Sequence, residues 1–285
     1  MLYGDKEVTN AFSDVETVCE KARALMDQEK YAEAIELLKK EIKKVKKFKV
    51  YGFEEYYNFD EMFQFEIFIN FLSGKNNAKN KKQRNRAKMG PNIIWRTEPV
   101  ADLYYYCGYA MVELGEFEQA LNTLRMGLEW NPCSMDLRFE RINIFRNQGD
   151  IENLHRETKD AYKYVFRPKY LARIYRDKGY GFIEEEKWDA AIASYFLSLA
   201  FAVDDDDIER ANGELGYIEE TTRIEIGEPS EEEIVQIARE YKIPIGIDER
   251  LLNFAQRRWE QSRQNNDEDG VKYYREIVEA FSANE

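Results

Sequence analysis

The sequence predicts an all-α fold built from short helices packed in pairs, and three observations carry that expectation. The stretch 101–132, ADLYYYCGYAMVELGEFEQALNTLRMGLEWNP, holds two apolar stripes at helical spacing with one glycine between them. Its layout recurs at a fixed distance along the chain. There are only six prolines in 285 residues, and long tracts rich in Ala, Leu, Glu and Lys favour helix throughout.

Within that stretch Leu103, Cys107, Ala110, Met111 and Leu114 make the first stripe. Gly115 then stands where a left-handed residue closes a helix. Phe117, Ala120, Leu121, Leu124 and Leu128 make the second stripe, and Pro132 ends it. Gly108 and Ala120 are small residues, one on each helix, that let two backbones approach closely. Thirty-four residues on, 135–168 repeats the layout, with Gly149 in the place of Gly115, Ile151 of Phe117 and Ala161 of Gly127. After three further residues a third copy sets Gly179, Trp188, Ala191 and Tyr195 where Gly108, Phe117, Ala120 and Leu124 stood. Near the N-terminus Ala22, Tyr31, Ala34 and Leu38 hold the matching places of another copy.

The run Tyr104, Cys107, Gly108, Met111, Ala120, Leu124, Pro132 resembles the tetratricopeptide repeat, W-x2-L-G-x2-Y, then A-x3-F, then P, with its period of 34 residues. The resemblance implies a TPR-like right-handed α-solenoid of helix-turn-helix repeats. On that reading 1–100 is a first helical pair followed by an insertion, 101–225 is the regular array, and 226–285 are capping helices with a polar outer face. The resemblance also implies a use, because in this family the first helix of each repeat lines a concave groove. Carried over copy by copy, the groove comprises Asp102, Tyr105, Tyr109 and Val112, then Asp136, Phe139, Asn143 and Arg146, then Arg173, Arg176 and Tyr180. Tyrosine and arginine combine large area with directional donors, which suits such a surface. Some members clamp a terminal carboxylate with Lys, Asn and Arg; here Tyr105 and Tyr109 take the Lys and Asn places, leaving Arg173 and Arg176 for an acidic ligand.

Taken in order, Ser13 and Glu16 read as a capping box for a helix ending near Gln28. Its partner runs from Tyr31 into KKEIKKVKKFK, where the seven lysines between Lys39 and Lys49 read as a solvated helix end. Glu54–Leu72, with seven aromatic residues, reads as a helix packed on several sides. The stretch 75–88, KNNAKNKKQRNRAK, has no acid and nothing apolar beyond alanine, so a mobile loop is expected; Lys79, Lys81, Lys82, Arg84 and Arg86 are its candidate anion contacts. Thr97 is the expected N-cap of the array, with Pro99 in the first turn. Asp204 to Asp207 mark a helix start favoured by its dipole. Gly213 fits a fourth array repeat, which 222–229 interrupts. Ser230 and Glu233 open a helix to Tyr241, a short link follows at 243–247, and helices at about 248–264 and 267–281 close the chain.

The net charge of −13 is uneven, since residues 1–90 carry +3 and the remainder −16. No secretory leader is expected, the run 190–203 is too short to span a bilayer, and three scattered cysteines suit a reducing cytoplasm rather than a disulfide framework. The single histidine, in Glu152-x-x-His155, lacks the second pair a carboxylate-bridged metal site needs. Gly179-Tyr-Gly181 lacks the third glycine of a dinucleotide loop. Neither a metal, a cofactor nor an enzymatic activity is therefore expected. The sequence favours a cytoplasmic, non-enzymatic adaptor for a protein or peptide. Two alternatives use other features: a nucleic-acid or ribosome-associated factor acting through 39–49 and 75–88, and a sensor of a small signalling peptide sharing the groove.

Overall fold

A computed structural model describes residues 3–73 and 91–282, so the basic stretch with Lys79, Lys81, Lys82, Arg84 and Arg86 lies outside the described residues. The chain divides into two compact units, Met1–Ile144 and Phe145–Glu285, and the division falls inside the expected 101–225 array. Both units are predominantly helical. No described helix is long and apolar enough to cross a membrane.

The first unit contains α1 (Tyr3–Phe12), α2 (Val15–Met26), α3 (Tyr31–Val45), β1 (Val50–Tyr51), β2 (Glu54–Asn58), α4 (Met62–Ile67), β3 (Asn92–Arg96), α5 (Val100–Glu113), α6 (Phe117–Trp130) and most of α7 (Met135–Gln148). Helices α2 and α3 pack on each other and on α5, which packs on α6. Their shared interior holds Ala22, Ala34, Leu38, Leu103, Cys107, Ala120 and Leu124, all fully buried. Two of the small residues carry the close approaches. A Cβ on Gly108 would meet Leu124 of α6, and one on Gly127 would lie 2.8 Å from Cβ of Tyr104 and 2.9 Å from Leu137. Leu114, placed on the apolar stripe by its spacing, is instead exposed at the helix end.

The insertion departs from expectation. Glu54–Leu72 is not one helix: β2 comes first, then α4, prolonged by a π-helical turn at Phe68–Leu72. Strand β2 lies at the centre of a three-stranded sheet, antiparallel to β1 and parallel to β3, with Tyr56 opposite Ile94 and Tyr57 opposite Trp95. Aromatic and β-branched residues suit a pleated, half-buried surface, and NIIWR supplies the partner strand. Tyr57, Phe59, Phe65, Phe68 and Trp95 then pack ring on ring, and the Trp95 indole donates to the Phe59 carbonyl at 3.0 Å.

Two caps also differ from expectation. Helix α5 starts at Val100 with Pro99 at its N-cap, not Thr97, and the Ala101 N–H donates at 3.1 Å to Oδ1 of buried Asn58 from β2. At the N-terminus Ser13 and Glu16 form no capping box. Asp14 precedes α2 without a side-chain cap, its carboxylate paired instead with Lys44 at 2.9 Å, and the Ser13 hydroxyl donates backward to the Asn10 carbonyl of the unexpected helix α1. Lys49 is no solvated lysine either: its Nζ sits 3.1 Å from the centroid of the Tyr57 ring and donates at 2.6 Å to the Tyr56 carbonyl, and burial pulls its pKa down to about 8.

The second unit contains α8 (Ile151–Tyr162), α9 (Pro168–Glu184), α10 (Trp188–Ala200), α11 (Asp205–Thr222), α12 (Glu231–Glu240), α13 (Glu249–Gln264) and α14 (Glu268–Ser282). Helix α9 packs on α8 and α10, α10 also packs on α11 and α12, and α13 on α14. Here Gly179 repeats the part of Gly108, since its Cβ would lie 2.7 Å from the ring of Tyr195 on α10. Gly213, expected to do the same for a further repeat, faces open space. Asp204 caps α11 through the Asp207 N–H, and Ser230 with Glu233 forms a complete capping box. The link at 243–247 is pinned by two phenols: Tyr175 donates to the Pro244 carbonyl and accepts from the Gly246 N–H, while Tyr162 donates to the Gly246 carbonyl.

One turn recurs along the chain. A residue with positive φ closes the leading helix of a hairpin at Glu29 (58°), Gly115 (74°), Gly149 (65°) and Glu186 (55°). In each, the next amide reaches back five residues: Lys30 to Leu25, Glu116 to Met111, Asp150 to Phe145 and Lys187 to Phe182, at 2.8–2.9 Å. That bond satisfies a carbonyl the helix end would leave open. The hairpin α13–α14 uses the same device at Asn266, with Asp267 bonded to Ser262.

Candidate binding cleft

In the first unit α2 and α5 are the leading helices of two hairpins, and each presents one stripe to a common cleft. On α5, Asp102, Tyr105, Tyr106 and Tyr109 recur at i, i+3, i+4 and i+7, which places them on one face. On and just past α2, Glu20, Arg23, Ala24 and Asp27 recur with the same spacing. The cleft of about 570 Å³ is lined by Glu20, Arg23, Ala24, Met26, Asp27, Tyr105, Tyr106 and Tyr109. That is room for a few side chains of a ligand.

The three tyrosines are half-buried and line the cleft. Tyr105 and Tyr106 meet edge to face at 5.3 Å, and the Arg23 guanidinium stands 5.8 Å from the centroid of Tyr106. The electrostatics are one-sided. Asp102 is pushed up to about 6, first by burial and then by Asp60 and Asp136, with Arg23 working in the opposite direction. The Tyr106 phenol is raised by burial and Asp102, and the Tyr109 phenol by burial and by Glu113 and Glu140. Carboxylates thus dominate the field along this face of α5.

Of the groove residues expected from the sequence, Tyr105 and Tyr109 line this cleft. Asp136 is exposed on α7, whereas Phe139 is only 2% exposed and belongs to the interior. Asn143 donates at 3.2 Å to Glu140. Asp102 and Val112 lie on α5 outside the lining of the cleft, and Arg146, Arg173, Arg176 and Tyr180 fall in the second unit, where the three arginines meet the chain's own acids. Arg146 stacks on Tyr180 at 4.0 Å and pairs with Glu214 at 3.4 Å. Arg173 lies 3.9 Å from buried Asp177. Arg176 pairs with Asp207 at 2.7 Å and donates to Ser198 at 3.2 Å.

Arg23, Glu20, Asp27 and Tyr106 were missed. The signal was present, because Ala22 and Ala34 place 15–45 among the repeat copies, and the spacing of Glu20, Arg23 and Asp27 marks one face of its leading helix. Among the described residues no group of three or more His, Cys, Asp and Glu side chains is arranged to hold a metal. The single histidine, His155, lies 3.3 Å from Glu185 and is lowered mainly by burial. Compared with known proteins, the chain matches no family model and no curated sequence.

Proposed function

We propose that this chain is a non-enzymatic, tetratricopeptide-like binding protein that holds a peptide or a segment of a partner protein in the cleft between α2 and α5. The observation that carries the reading is the convergence of three tyrosines and an arginine from two consecutive leading helices on one cleft of about 570 Å³. Large, stiff, amphipathic side chains of this kind concentrate binding energy at protein interfaces. The recurrent left-handed turn and the like contacts of Gly108 and Gly179, one in each unit, support the repeat assignment. Three unpaired, buried cysteines support a reducing, cytoplasmic setting.

Affinity capture from a cell extract, with the parent chain and Tyr109→Ala side by side, tests the reading. Tyr109 sits at the cleft wall and not in the core, so the variant should keep the parent melting temperature and lose specific partners. Retention of every partner by Tyr109→Ala and by Tyr105→Ala would rule the cleft out.

A further inference from the structure

The charge pattern of the same cleft says what kind of segment it suits. Glu20 and Asp27 line its α2 wall, and on α5 the acids Asp102 and Glu113 flank the three tyrosines beyond the lining itself, one turn before Tyr106 and one turn after Tyr109. Arg23 is the one cation of the lining, and its guanidinium stands 5.8 Å from the centroid of Tyr106. From α7, Asp136 and Glu140 add to the negative field that reaches Tyr106 and Tyr109. A carboxylate ligand would meet this field unfavourably, whereas a lysine or arginine side chain would find rings on one side and acids at the rim.

We propose that the cleft binds an extended basic peptide segment, with a lysine or arginine side chain over Tyr105 and Tyr109 and its charge facing Glu20 and Asp27. This rests on the cleft reading given above. It runs against the acidic ligand that Arg173 and Arg176 suggest from sequence, because those two arginines face Asp177 and Asp207 of their own unit. The aromatic rings contribute area and a negative face, and the acids contribute selection by sign.

Fluorescence anisotropy with three labelled decapeptides of alternating composition, Lys-Ala, Ser-Ala and Glu-Ala, tests the inference on the full chain. The lysine peptide should bind at least tenfold more tightly than the other two. Its affinity should fall about tenfold in Tyr109→Ala and in the double variant Glu20→Gln, Asp27→Asn, with melting temperatures unchanged. A control variant in the second unit, Glu232→Gln, should bind like the parent. Lysine-peptide binding that ignores the cleft variants is bulk attraction to a chain of charge −13, and would overturn the inference. Serine or glutamate peptides that bind as tightly as the lysine peptide, and weaken in Tyr109→Ala, would overturn the basic ligand while leaving the cleft reading intact. If no peptide senses Tyr109→Ala, both fall.

Discussion

Gly108 faces Leu124 so closely that a Cβ built on the glycine would lie 2.5 Å from Cδ2 of the leucine. The relationship recurs between Gly179 and Tyr195, at 2.7 Å, in the second unit. In both hairpins, then, the missing side chain of the leading helix is filled by a large residue of the following one. Replacing Gly108 by alanine brings the helix propensity of a side chain, worth up to about 1 kcal/mol, against overpacking of about 1–3 kcal/mol. Gly108→Ala should therefore be destabilising by about 1 kcal/mol and Gly108→Leu by more. Gly213→Ala, where the added methyl meets nothing, should stabilise by about 0.5–1 kcal/mol. Urea denaturation of the three variants decides it, and a neutral Gly108→Leu would contradict the packing.

The left-handed turns give a second prediction with opposite signs at equivalent places. Gly115 has φ +74° and free space around its Cα, so Gly115→Ala suffers only backbone strain, about 1 kcal/mol. Glu186 and Glu29 already bear that strain, with φ of 55° and 58°. Glu186→Gly and Glu29→Gly should each stabilise by about 0.5 kcal/mol, the relief being partly offset by the greater freedom of glycine in the unfolded chain. Equal loss of stability in all three variants would show that the turns are not equivalent.

This turn also explains what could and could not be read from the sequence. Glycine at 115 and 149 announces a helix end, so those hairpins were legible. Glutamate at 29 and 186 carries no such mark, and only the register with Tyr31 and Trp188 placed the breaks. Strands β2 and β3 were missed for a different reason: each is five residues long, and their pairing joins segments almost forty residues apart. Local periodicity cannot report a non-local partner, and an aromatic run suits either a buried helix or a strand. In the cleft, Tyr105 and Tyr109 followed from repeat position, and Arg173 with Asp177 is an i,i+4 pair on α9, whereas the pairing of Arg146 with Glu214 and of Arg176 with Asp207 depends on which helices meet. Net charge and spacing do not contain that information.

Arg176 supplies a third prediction. Its guanidinium and the Asp207 carboxylate are 14% and 10% exposed, and Asp207 has little else to satisfy it beyond the Val203 N–H at 3.3 Å. Removing one member of a buried pair leaves the other's charge without compensation, at a cost of about 3 kcal/mol. Arg176→Ala should accordingly lower stability by about that amount, and Asp207→Ala added to it should cost little more. A strictly additive double-mutant cycle would show that the two side chains do not depend on each other.

Asp102 supplies the last prediction, through pH. Its carboxyl is raised from 3.8 to about 6 by burial and by the nearby Asp60 and Asp136. The folded chain therefore binds this proton more tightly than the unfolded chain does. Below about pH 3.8 both forms hold the proton and the group is neutral in its effect. Between pH 4 and 6 the unfolded form releases it first, so the contribution of this group to stability falls as pH rises and is at its worst above pH 6. Asp102→Asn removes the ionisation while keeping the shape, and should stabilise by about 1–2 kcal/mol at pH 7.5, less than the full linkage value because the carboxyl keeps some contact with solvent. At pH 4 the gain should nearly vanish. Melting curves of parent and variant at both values test this, and an equal gain at both would mean that hydrogen bonding of the amide, not the buried charge, is responsible. The same ionised carboxylate that weakens the fold above pH 6 adds to the negative field of the cleft, so stability is given up where a cation would be held.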